Sequence, residues 1–159
     1  MDTLIRLLKH NSRLSDAQLA AMTGKTEAQV RSEIEKLEAD GIIKGYSVIL
    51  DEEKIENDVV TAVIELKVTP QAGCGFDQIA KTIMMYDEVS DVTLMSGGYD
   101  LAVTVTSSSL KDIALFVAQR LSGIDGVLST TTHFVLKRYK EKGFMIDEEE
   151  IDEREFVSP

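Results

Sequence analysis

Apolar positions recur with a helical period over the first forty residues. After residue 58 they switch back and forth between a strand period and a helical one. Leu4, Leu7 and Leu8 make one stripe over residues 3–10, and Asn11-Ser12-Arg13 breaks it. Leu19 and Met22 mark a second helix, and Val30, Ile34 and Leu37 a third. Residues 42–50 alternate as a strand does, and the polar run 51–58 reads as a linker. Beyond it, Ala62, Ile64, Leu66 and Val68 share one face of a strand over 59–68. Phe76, Ile79, Ala80 and Ile83 stripe a helix over 76–85, and a strand follows at 89–96. Leu101, Val103 and Val105 line the next strand, 101–106. Ile113, Ala114, Val117 and Leu121 stripe a helix over 110–121, and 127–137 is the last strand. The order βαββαβ predicts an α+β domain of ferredoxin-like form, with two helices on one face of a four-stranded antiparallel sheet.

Local chemistry sharpens the first half. Ser15 with Gln18, and Thr26 with Gln29, are two capping boxes. Gly24 between them suits the left-handed position that ends a helix, and Ala20 is small enough for close helix approach. Two short capped helices around a tight turn fit an ordinary helical hairpin. They also fit a helix-turn-helix, whose second helix enters the DNA major groove. The residues at or near the start of that helix and off its apolar stripe are Lys25, Thr26, Gln29, Arg31 and Ser32. Gln29 suits adenine, though the capping box competes for it, and Arg31 suits guanine or phosphate.

The stretch that follows, Leu37-Glu38-Ala39-Asp40-Gly41-Ile42-Ile43-Lys44-Gly45-Tyr46, resembles the LE-x-x-G-(I/V)-I-x-G-Y signature of the Lrp/AsnC, or feast/famine, transcription regulators. The βαββαβ order is similar to that family's effector-binding domain, so the resemblance spans residues 3 to about 140. It implies a winged helix-turn-helix domain over 1–50, a linker at 51–58, a ferredoxin-like effector and oligomerisation domain over 59–140, and an extension at 141–159. It implies a regulator of transcription, not an enzyme, that binds specific double-stranded DNA and answers to a small effector, an amino acid.

Met95-Ser96-Gly97-Gly98-Tyr99-Asp100-Leu101 reads, on its residues alone, first as a hairpin turn with paired glycines at positive φ. The resemblance matches it to the family's G-x-Y-D-L loop, which helps bind amino-acid effectors near subunit contacts. On that footing Met95, Ser96, Gly97, Gly98, Tyr99 and Asp100 are the effector-binding residues. Glycine N–H groups suit a carboxylate, Asp100 an ammonium, and Ser96 adds a hydroxyl. The resemblance also sets a contrast. The family carries more arginine on its reading helix, where this chain has Ser32, Glu33 and Glu35. Weaker binding that leans on several dimers follows.

Charge changes the picture in one respect. The chain of 159 residues carries −11, which argues against nucleic acid until its distribution is considered. Residues 1–47 balance seven basic side chains against seven acidic ones, so the rest carries the whole excess. Apolar and charged shares of 43% and 28% are those of an ordinary globular protein. No apolar run reaches the roughly 20 residues of a membrane helix and no leader is visible, so a cytoplasmic location and no membrane partner are expected. One cysteine, Cys74, and two histidines, His10 and His133, leave no disulfide framework and no metal pattern; no cofactor is expected.

The sheet face without helices is expected to carry apolar members such as Val63, Met95, Ala102 and Phe134 and to pack on a second copy. A homodimer, assembling further into forms such as octamers, is the expected partner state. Two other readings stay open. One is an enzyme resembling siroheme decarboxylases, which would draw on His133, Lys137, Arg138 and Arg120. The other is an effector-binding module with weak DNA affinity. The extension 141–159 holds eight acids and two bases, yet Phe144, Met145, Ile146, Ile151 and Phe156 make it too apolar for a simple acidic tail. A docked segment is expected there, with a short helix capped by Asp147.

Overall fold

Leu4, Leu19, Ala20 and Val30 meet in one small core, and that contact organises the N-terminal helices. The computed structural model describes residues 3–55, 59–70, 73 and 75–146. It divides the chain into two units, Met1–Val48 and Ile49–Pro159. In the first, α1 spans Thr3–His10, α2 Asp16–Thr23 and α3 Glu27–Ala39. Both capping boxes form: Ser15 and Thr26 each accept from the backbone N–H three residues on, and Gln18 and Gln29 reach back. Gly24 closes α2 at φ 72°, a left-handed angle that a side chain would strain.

Met22, expected in the stripe of α2, is 56% exposed. Leu19 and Ala20 already set the inward arc, and Met22 lies about 110° round the helix from its middle. Residues 42–50, expected as a strand, form none. Their alternation is real, but a ladder needs a second strand and they pair with none. The stretch 37–46 acts instead as a helix stop. Gly41 turns left-handed at φ 67°. The N–H groups of Ile42 and Ile43 donate to the Leu37 carbonyl at 2.9 and 3.1 Å. The Tyr46 hydroxyl donates to Glu38 at 2.8 Å, and burial, then Glu38, raises that phenol above its ordinary pKa.

In the second unit β1 is Val60–Val68, α4 Asp77–Ile83, β2 Val89–Leu94, β3 Leu101–Ser107, α5 Leu110–Phe116 and β4 Val127–Phe134. The sheet order is β2-β3-β1-β4, antiparallel throughout, as the ferredoxin-like form requires. Ala62, Ile64, Leu66 and Val68 of β1 and Leu101, Val103 and Val105 of β3 pack with Ile79 and Ile83 of α4 and Ile113 and Phe116 of α5. The helix expected over 110–121 changes form at Val117–Leu121, where a π turn follows α5. Val117 and Leu121 stay buried in that turn. Arg120 lies 5.4 Å over the Tyr86 ring and pairs with Glu88 at 3.0 Å. Among the described residues no helix is long and apolar enough to cross a membrane.

The open face of the sheet differs from expectation. Phe134 pairs with Ala62, so it lies on the helix face. Val63 pairs with Thr104 and His133, and Glu65 with Ala102 and Thr131. Val63 and Ala102 are therefore apolar members of a face that also carries threonines, Glu65, Lys67, Ser129 and His133. His133 Nε2 lies 3.4 Å from Glu65 across it. After β4 comes a small hairpin not foreseen in the sequence, Lys140–Glu141 with Phe144–Met145. Lys142 and Gly143 both have positive φ there, as the type I′ turn of a two-residue hairpin has. Cys74 and the expected helix beginning at Asp147 lie outside the described residues.

Candidate DNA-reading and effector-binding sites

The outer face of α3 is built by spacing. Lys25, Ala28, Gln29, Ser32, Glu33 and Lys36 line one shallow concavity of about 520 Å³. Three of the expected DNA contacts, Lys25, Gln29 and Ser32, are thus brought together. Ala28 and Lys36 join them. The steps of three and four residues from Gln29 to Ser32 to Lys36 are the signal that identifies Lys36. Thr26 sits at the helix start, where its hydroxyl accepts from the Gln29 N–H at 3.2 Å. Gln29 Oε1 accepts from the Thr26 N–H at 2.9 Å. Bidentate reading of adenine needs that oxygen as well as the amide donors. While the box is closed, Gln29 presents only N–H groups to a base.

Two of the basic side chains are engaged as well. The Lys25 ammonium pairs with the Glu33 carboxylate. Arg31 leaves the concavity and turns to α2, where Nε and Nη2 both donate to Asp16 Oδ2, at 3.0 and 2.8 Å. That bond is the main reason the guanidinium is held even above its usual pKa. Ser32 is exposed.

The loop between β2 and β3 begins at Met95, whose N–H donates to the Asp100 carbonyl at 2.8 Å. Ser96, Gly97 and Gly98 are exposed, and Tyr99 and Asp100 half-buried. Neither glycine has the positive φ expected of a tight turn. The loop spans six residues, 95–100, and turns without a left-handed one. A Cβ placed on Gly97 or Gly98 would meet nothing within 4 Å. The chain's own packing therefore gives no reason for either residue to be glycine. Asp100 has an internal role: Oδ2 accepts from the Val68 N–H at 2.8 Å, and its own N–H donates to the Leu66 carbonyl at 2.9 Å.

The residues named for a siroheme-type enzyme do not gather. His133 faces Glu65, Arg120 holds Glu88, and Arg138 holds Glu141 at 2.8 Å. Lys137 and Arg138 share a concavity of about 220 Å³, but its lining includes Asp51, Glu52 and Glu53 and neither His133 nor Arg120.

A capped helix-turn-helix joined in one chain to a ferredoxin-like sandwich defines a DNA-binding transcriptional regulator with a ligand-binding domain. The family model for winged helix-turn-helix DNA-binding matches residues 3–44, and that for the Lrp/AsnC ligand binding domain matches 61–144. The chain belongs to the Lrp/AsnC family. It is 43% identical over 157 residues to the HTH-type transcriptional regulator YugG of Bacillus subtilis (strain 168), covering 98% of this chain and 95% of that one. Two solved structures share the fold. A Neisseria meningitidis transcriptional regulator, NMB0573, in complex with L-Met has a TM-score of 0.69 at 21% identity, covering 89% of this chain and 93% of that one. E. coli AsnC has 0.66 at 22% identity, covering 89% and 95%.

Proposed function

We propose that this regulator reads specific double-stranded DNA with the outer face of α3 and that an amino acid, engaging Met95 to Asp100 where subunits meet, sets its assembly or its affinity. Lys25, Gln29, Ser32 and Lys36 are the reading residues, with Thr26 fixing the helix start and Arg31 a phosphate or guanine contact when released. The protein works as a homodimer that assembles further, in the cytoplasm, with residues 51–58 joining its two functional parts.

The observation that carries the effector reading is the pair Gly97 and Gly98. Neither has left-handed backbone, and neither has a neighbour within 4 Å of where a Cβ would stand. Bare backbone at such a place suits a group that approaches from outside the chain. Its N–H groups suit a carboxylate, and the L-Met complex of the structurally similar Neisseria regulator points to the same ligand class.

A ligand shifts assembly only by binding one arrangement more tightly than another. The test is calorimetry of the full chain against the protein amino acids, with sedimentation and gel shift on DNA upstream of its own gene run with and without any ligand found. Heat from one or a few amino acids, with a matching change in oligomer size or DNA affinity, is the expected result. No heat from any of them overturns the effector reading. No salt-dependent shift of the DNA overturns the reading of α3.

A further inference from the structure

We propose that Asp16 and Glu33 restrain DNA binding by holding Arg31 and Lys25, the two cations flanking the reading face of α3. The inference rests on the reading of α3 just given. It starts from the neutral charge of this half of the chain, which is local at α3: Asp16 stands on Arg31 and Glu33 on Lys25.

Arg31 uses Nε and Nη2 together on one Asp16 oxygen. Those two groups form one of the edges with which a guanidinium grips phosphate or guanine as a fork. While Asp16 occupies it, that grip is closed. Lys25 stands in the same relation to Glu33 from the other flank. Both pairs are open to water, with side-chain exposures of 65% and 31% for Arg31 and Asp16 and of 35% and 27% for Lys25 and Glu33. Pairs so exposed are weak, and a phosphate can displace the carboxylate. The acids therefore act as a graded brake that lowers affinity, and binding to DNA must first break each pair.

Asp16 opens α2 and makes no part of the Ser15 box, and Glu33 lies mid-helix, so removing either charge spares the caps. The experiment uses the full chain and a mixed-sequence duplex of about 40 base pairs, roughly four helical turns. Fluorescence anisotropy is followed from about 50 to 200 mM salt. Asp16→Asn removes the pair that binding must break, a gain of up to about 5-fold per reading head at 50 mM salt that shrinks toward 200 mM as screening weakens the pair. Glu33→Gln behaves likewise through Lys25.

The control is the double variant Asp16→Asn with Arg31→Ala, in which the gain must vanish. A gain that persists there would show that Asp16 acts as general negative charge and overturns the proposal. So would no gain, or a loss, from both single variants. Lys36→Ala separates the two levels of argument. If it binds as the parent does, the reading of α3 itself fails; if it weakens binding while Asp16→Asn and Glu33→Gln do nothing, only the restraint fails.

Discussion

Replacing Asp100 by alanine should destabilise the ferredoxin-like domain before it says anything about an effector. The Val68 N–H lies where the β1–β4 register shifts, between Lys67 and Val68, and it donates to Asp100 Oδ2 at 2.8 Å. Val68 itself is 4% exposed, so water reaches this amide poorly once the carboxylate is gone. A hydrogen bond to a charged acceptor contributes about 1.5–3 kcal/mol. Asp100→Ala should cost about that much, whereas Asp100→Asn, which keeps a neutral acceptor roughly half as strong, should cost about 1 kcal/mol. Urea unfolding of both variants measures the cost, provided the slope with denaturant is unchanged. Hydrogen exchange of the Val68 amide localises it: protection should fall most at Val68 in the alanine variant and less in the asparagine one. If Asp100→Ala lies within about 0.5 kcal/mol of the parent and Val68 exchange is unaltered, the anchoring argument is wrong. The carboxylate would then be returned to an effector's ammonium.

Gly98→Ala should leave unfolding unchanged, because its Cβ meets nothing within 4 Å, while abolishing any amino-acid response; a response of parental size would remove the glycine argument. Gly126→Ala should be strongly destabilising in the same unfolding assay. Its backbone is at φ 91° and the new Cβ would stand 2.8 Å from Ile79 Cδ1. Thr26→Ala should cost about 0.5–2 kcal/mol by loss of the α3 cap. Base preference measured by competition among duplexes should stay as in the parent, because the backbone N–H that holds Gln29 Oε1 remains at residue 26.

What the sequence could reveal of this fold was what depends on near neighbours. The two capping boxes and Gly24 are local events of three or four residues, and each forms as read. The βαββαβ order follows from periods within single elements. Facing is different, because it depends on register. Ser129-Thr130-Thr131-Thr132-His133 carries no apolar alternation to say which side of β4 turns inward. The register shift at Lys67/Val68 adds an offset invisible in either strand alone. Phe134 therefore lies on the opposite face from the one its place in the sequence suggests, and the open face is less apolar than the pattern implies. The stretch 42–50 failed for a related reason: its pattern is that of a strand, but pairing is a property of two segments.

The sites divide along the same line. Candidate readers followed from residue type and position on α3, yet their partners did not, because Lys25 meets Glu33 eight residues on and Arg31 meets Asp16 fifteen back. Glycines show how far such reading can be carried. Gly24, Gly41 and Gly126 are explained within the chain, by positive φ or by a neighbour too close for a Cβ. Gly97 and Gly98 are not, and the left-handed turn that paired glycines suggest does not form there. Gly45 shares their condition, with ordinary φ and open space around it, in the unpaired stretch after the helix stop. A glycine tolerates any partner that needs bare backbone and costs conformational entropy where none does. Where the fold supplies no use for that freedom, the proposed effector would supply one at Gly97 and Gly98. On that proposal the positions to test first lie in bare backbone, in the loop before β3, before the charged side chains of α3.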